Sequence, residues 1–163
     1  MIRVGILTAS DKGSAGQRVD ESGKLIADRV KEIPGEVAEY MIVPDDRETI
    51  KAALIRMTDE LDLDLILTTG GTGMSQRDIT PEATMEVLER LVPGIPEAMR
   101  AKSLEVTNRA MLSRAVAGIR KTTLIVNMPG SRKAVDECLD VIIPVLSHGI
   151  EILRGDASAC GRK

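Results

Sequence analysis

Residues 63–83 read LDLILTTGGTGMSQRDITPEA, and this stretch decides the fold. Leu63 to Thr69 has the length and the aliphatic, β-branched content of a buried strand, and Gly70 to Gly73 follow as a turn. At the end, Thr80 is placed to cap free amide groups, Pro81 suits the first helical position and Glu82 complements the helix dipole. A buried strand, a glycine turn and a helix start make one β-α step of a parallel sheet.

The same step recurs on both sides. Upstream, residues 2–9 (IRVGILTA) predict a first strand, and 21–33 carry Leu25, Ile26, Val30 and Ile33 at helical spacing. Residues 37–43 predict a second strand, and 47–60 a helix with Ile50, Ala53, Leu54 and Met57 on one stripe. Downstream, Pro93, Gly94 and Pro96 end one helix, and another is expected over 96–106. Residues 110–120 show no clear period. TTLIVN (122–127) predicts another buried strand, and a long apolar stripe through Ala134, Val135, Cys138, Leu139 and Ile142 predicts a helix that Pro144 kinks or interrupts. The pattern gives one α/β domain over 1–155, with a mostly parallel sheet covered on both faces and a loose tail over 156–163.

Composition narrows the function classes. The chain has 163 residues, a formal charge of −3, one Tyr and no Phe or Trp, so its core is aliphatic. Low positive charge and missing stacking platforms exclude nucleic acid as an expected partner. No apolar run is long enough to span a bilayer, and MIRVGILTAS resembles a buried strand more than a secretory signal, so no membrane partner and a cytoplasmic location are expected. Cys138 and Cys160 lack the spacing of a zinc site or disulfide framework, and His148, the only histidine, reads as a helix-surface residue.

Chemistry-bearing residues fall where strands end. The loops are SDKGSAG from Ser10, VPDD ending at Asp46, GGTGMSQRD from Gly70 and MPGS from Met128. Open parallel sheets bind ligands at such ends. Gly70, Gly71 and Gly73 let backbone amides approach an anion closely, although by itself the segment reads equally as a plain turn. Asp45, Asp46 and Asp78 offer hard oxygen ligands for Mg²⁺ between protein and triphosphate, or else they cap and order turns. Lys12 and Arg77 are placed to balance phosphate charge, while Asp59, Glu60, Asp62 and Asp64 read as a solvated acidic face.

LTASDKGSAGQRVDESG, IVPDD, LILTTGGTGMSQRDITPEAT, MLSRAVAGIR and LIVNMPGSRKAV together resemble the Mog/MoaB family of molybdopterin-binding proteins, over residues 2–155. The related molybdate-insertion enzymes read VSVG and an aspartate after the two glycines, whereas this chain reads TGMSQRD. The resemblance therefore implies the adenylyltransferase branch: a three-layer α/β/α domain that moves an adenylyl group from Mg²⁺-ATP to molybdopterin and releases pyrophosphate. It also implies a homotrimer, with a molybdate-insertion enzyme as downstream partner. Carried over by position, Asp45 and Asp78 are the catalytic and metal-holding acids, and Gly70, Gly71, Thr72 and Gly73 the phosphate-contacting loop. Ser113 and Arg114 fall in the pterin region, and Pro129, Gly130 and Ser131 form a second substrate-side turn. A catalytically inactive or regulatory pterin-binding module is the competing reading, told apart by pyrophosphate release.

Overall fold

A computed structural model describes residues 1–156. The chain runs β1 (Ile2–Ala9), α1 (Asp11–Ser14), α2 (Glu21–Arg29), β2 (Gly35–Val43), α3 (Arg47–Ile55), β3 (Leu65–Thr69), α4 (Thr80–Val87), β4 (Arg90–Leu91), α5 (Gly94–Leu104), β5 (Ala117–Arg120), β6 (Thr123–Met128) and α6 (Arg132–Arg154). The sheet order is β2-β1-β3-β6-β5-β4. Its first four strands are parallel, and β5 and β4 add an antiparallel edge.

Side-chain alternation sorts the core into two layers. Val4 and Ile6 of β1, Leu65 and Leu67 of β3, and Leu124 and Val126 of β6 pack with Ile26 of α2, Met99 of α5 and Leu139 of α6 on one face. Leu7, Ile66 and Ile125 point the other way, onto Ile50 and Leu54 of α3 and Val87 of α4. This is the period of two expected of strands buried on both faces. Each fully buried aliphatic side chain contributes about 1.5–3 kcal/mol, so a core without Phe or Trp is sufficient here.

Four expectations change. The predicted Thr80 cap is absent: α4 begins at Thr80 itself, Ile79 occupies the cap position without a side-chain bond, and Pro81 supplies the favourable start. Pro144 does not interrupt α6, which runs 23 residues through it. Burial of Leu139, Ile142, Leu146 and Ile150 on either side outweighs the hydrogen bond that proline removes. The acidic face is only half solvated. Glu60 and Asp62 are exposed, but Arg120 donates to Asp59 at 3.0 and 2.7 Å, and Asp64 accepts Arg154 Nε at 2.8 Å and the Arg3 amide at 2.7 Å. Asp59 ties β5 to the turn after α3, and Asp64 ties β1 and α6 to the start of β3. The unreadable stretch near 110–120 contains a 3₁₀ turn over 108–112 and then β5, whose four residues are too short to announce a period.

Other positions agree with the reading. Helix 47–60 continues past α3 as a π-helical turn over 56–60, and His148 is exposed on α6. Cys138 is buried, and burial pushes its thiol up to about 11. Cys160 and the tail from 157 lie outside the described residues. No helix among the described residues is long and apolar enough to cross a membrane.

Candidate functional site

The ends of β1, β3, β6 and β2 meet at the top of the sheet. β1 and β3 are neighbours, yet the chain passes from β1 to β2 on the other side, so a crevice opens where the connections diverge. Gly70 and Gly71, directly after β3, both have positive φ, at 91° and 69°. A side chain at Gly70 would meet the Ala9 carbonyl at 2.3 Å, and one at Gly71 would meet Thr80 Oγ1 at 2.2 Å. Glycine is therefore required twice, for conformation and for space. Gly73 differs from expectation: its φ is ordinary, and its constraint is Asp78 Oδ2, 2.9 Å from where a Cβ would stand.

Two cavities of about 400 and 410 Å³ share Gly71, Asp78 and Gly130 as their common wall. The first is mostly apolar, with Met99, Leu112 and Cys138 among its lining and Arg100, Arg109, Ser113 and Glu137 among its polar members. The second is polar, lined by Ser10, Arg18, Asp20, Ser22, Asp45 and Ser131 among others. Thr72, Gly73 and Pro129 belong to the apolar side, and Gly70 to the polar side.

Asp45 and Asp11 lock two loops together. The Asp11 amide donates to Asp45 Oδ2 at 3.0 Å, and the Asp45 amide donates to Asp11 Oδ1 at 3.0 Å. Burial is the main cause that raises the Asp45 pKa, and the nearby charges of Asp11 and Asp78 push the same way. Asp78 Oδ2 accepts the Ser75 amide at 3.0 Å, which orders the turn that carries it. The capping reading holds for Asp46: it caps α3, accepting the Thr49 amide at 2.9 Å and the Thr49 hydroxyl at 2.7 Å, and it lines neither cavity.

The remaining candidates divide between wall and scaffold. The Ser131 hydroxyl accepts the Ala134 amide at 3.2 Å as the cap of α6 while lining the polar cavity. Pro129 is held by the Thr69 hydroxyl, which donates to its carbonyl at 2.6 Å. Ser113 lines the apolar cavity, but its neighbour Arg114 lines neither. The Arg114 guanidinium donates to the Gly73 carbonyl at 2.8 Å, the Asp78 carbonyl at 2.6 Å and the Glu82 carboxylate at 2.5 and 2.9 Å, so it clamps the glycine loop from outside. Lys12 lines neither cavity, and Arg77 is engaged by Asp11 at 3.0 and 2.9 Å rather than turned to the crevice.

Several residues of the crevice went unnamed in the sequence. Asp20 caps α2 through the Gly23 amide at 2.9 Å, accepts the Thr8 hydroxyl at 2.6 Å and also accepts the Tyr40 hydroxyl. An aspartate just before an amphipathic segment is a helix-start signal that marks it. Ser22 donates to the Gly130 carbonyl at 2.8 Å and ties α2 to the β6 turn. That contact spans 108 positions, and no local pattern encodes it.

Comparison with known proteins agrees with this architecture. The profile of the family described as a probable molybdopterin binding domain matches residues 5–148. The chain is 44% identical over 157 residues to a molybdopterin adenylyltransferase of Helicobacter pylori strain J99, covering 95% of this chain and 89% of that protein. It is 38% identical over 156 residues to the molybdopterin adenylyltransferase of Escherichia coli K12, covering 91% of this chain and 80% of that one. Among solved structures, the molybdopterin biosynthesis enzyme MoaB of Thermus thermophilus superimposes with a TM-score of 0.90 at 50% identity, covering 95% and 98% of the two chains.

Proposed function

This chain belongs to the molybdopterin-binding domain family that its profile match and relatives define, and on that premise we propose that it is a molybdopterin adenylyltransferase of molybdenum cofactor biosynthesis. The observation that carries the proposal is the shared wall of Gly71, Asp78 and Gly130 between an apolar cavity and a polar, carboxylate-bearing one. One suits a flat heterocycle and the other a chain of phosphates. Atoms that must react therefore meet at the wall.

In the reaction, a terminal phosphate oxygen of molybdopterin attacks the α-phosphorus of ATP, and the bond from that phosphorus to the β-bridging oxygen breaks to release pyrophosphate. The attacking oxygen is already anionic, so alignment and charge neutralisation matter more than proton removal. Accordingly, the only histidine stands on α6, outside both of these cavities. Gly70 and Gly71 bring backbone close to phosphate, and Arg18 adds positive charge in the polar cavity.

Asp45 and Asp78 fit Mg²⁺. Both line the polar cavity, and the charge of Asp78 is among the causes that raise the Asp45 pKa, a repulsion that a cation would relieve. No group of three or more His, Cys, Asp or Glu side chains able to hold a metal occurs among the described residues. Mg²⁺ is usually held by one or two carboxylates together with substrate phosphates. When bound, it would neutralise charge on the triphosphate.

Release of pyrophosphate on mixing the protein with molybdopterin and Mg²⁺-ATP is the test. Pterin binding without pyrophosphate release would select the regulatory module instead. A homotrimer in the cytoplasm that passes product to a molybdate-insertion enzyme completes the reading, and sedimentation equilibrium checks the assembly.

A further inference from the structure

Among the described residues, one buried side-chain polar atom has no protein partner: Thr80 Oγ1, on a residue with 0% exposure. Its surroundings show why it matters. The Thr80 amide donates to the Gly71 carbonyl at 3.1 Å, and the hydroxyl lies 2.2 Å from where a Gly71 Cβ would stand. Asp45 Oδ1 lies 3.3 Å from the same point, on the cavity side, while the other carboxylate oxygen accepts the Asp11 amide. The hydroxyl and the carboxylate thus both border the space that a side chain at position 71 would enter. A buried hydroxyl left unpaired opposes folding, and valine would fill the same space without that cost. A neighbouring threonine shows the usual solution: Thr84 on the same helix donates to the Thr80 carbonyl at 2.7 Å.

Building on the adenylyltransferase reading, we propose that Thr80 is a positioning residue whose hydroxyl is held behind Gly71 to hydrogen-bond Asp45 when Mg²⁺-ATP draws the glycine loop and the carboxylate together. The bond is unmade in the ligand-free protein and made in the loaded one. Nucleotide binding thereby satisfies the group that folding leaves unpaired, and Asp45 is fixed only when the nucleotide is present. Thr80 touches no substrate and acts through Asp45.

The test compares Thr80→Val with Thr80→Ser by three measurements: thermal unfolding without ligand, the Mg²⁺ concentration for half-saturation of ATP binding, and kcat. A hydrogen bond to a charged group is strong enough that its loss should raise the Mg²⁺ requirement by about tenfold and lower kcat by about tenfold or more. Thr80→Val should do both while unfolding at the wild-type temperature or above, and Thr80→Ser should restore both to within about twofold. Wild-type Mg²⁺ requirement in Thr80→Val overturns the inference. So does a loss that follows reduced stability, or one that Thr80→Ser shares. A wild-type protein that releases no pyrophosphate defeats the parent reading alone, since Mg²⁺-dependent ATP binding still reports on Thr80.

Discussion

The two cavities on either side of Gly71 and Gly130 differ in how they are built. The polar one is made of residues at strand ends and helix starts, and cross-element hydrogen bonds fix them: Asp45 to Asp11, Ser22 to Gly130, and Asp20 to Thr8. The apolar one adds helix faces to the shared turns, with Met99 from α5 and Cys138 from α6 continuing the main core up to the crevice. Polar walls here depend on particular contacts, and apolar walls on packing that the fold supplies anyway. Substitutions of the polar side chains should therefore separate chemistry from stability, and substitutions of the shared glycines should not.

The largest effect is expected at the wall. Gly71→Val places a side chain on a residue at φ 69° and against Thr80 Oγ1, combining a left-handed backbone cost with overpacking. Together these should destabilise the fold by about 2–5 kcal/mol. Both ligands should bind weakly and adenylylated product should vanish. Chemical denaturation and equilibrium binding check this, and a Gly71→Val protein that loses only one ligand would show that the wall is not shared.

Next come the carboxylates. Asp45→Asn and Asp78→Asn keep the shape of each side chain and its capacity to accept a hydrogen bond, but they remove the charge that holds a cation. Product formation should fall by at least about 100-fold, the scale of several kcal/mol of lost charge stabilisation. Molybdopterin should still bind. Equal loss of pterin affinity in both variants would mean that the two cavities do not divide the ligand.

Stability should move the opposite way in one of them. Because the Asp45 pKa is raised in the folded protein, burial first and the neighbouring acids after it, the native state holds this proton more tightly than the unfolded chain. Stability from this group therefore falls as pH rises from the ordinary aspartate range, about 3.9, through the raised folded value. Above that window the ionised carboxylate opposes folding. Asp45→Asn should melt at or above the wild-type temperature at neutral pH, and the difference should shrink on acidification. Melting curves across pH decide it; a lower melting temperature at neutral pH would show that the Asp11 pairing outweighs the repulsion.

How much of this was legible depends on the range of each contact. β3, the glycine turn and the α4 start are contiguous, and 63–83 foretold them because period, glycine and proline signals agree locally. The antiparallel edge was not, since β4 has two residues and β5 four, too few for alternation to show. Asp45 and Asp78 were nominated by their positions at strand ends. Arg114 was nominated only through the family resemblance, as part of the pterin region, and its three-way clamp on Gly73, Asp78 and Glu82 joins segments up to 41 positions apart. Thr80 was read as an ordinary cap because a buried hydroxyl without a partner has no sequence signature.

The smallest effect separates two adjacent aspartates. Asp46 stands beside Asp45 in sequence, but its carboxylate accepts the amide and hydroxyl of Thr49, and these bonds hold its pKa below the usual carboxylate range. Its stabilising contribution is thus present above the ordinary aspartate pKa and fades as pH falls through the lowered folded value. Asp46→Ala removes the cap of α3 and should lower the melting temperature by a few degrees, whereas Asp46→Asn, itself a good cap, should change little. Neither replacement reaches the crevice wall directly, so the Mg²⁺ requirement and kcat should stay close to wild type, in contrast to Asp45→Asn one position earlier. A large loss of turnover in Asp46→Asn, with the melting temperature unchanged, would show that the polar cavity extends to this carboxylate when nucleotide is bound.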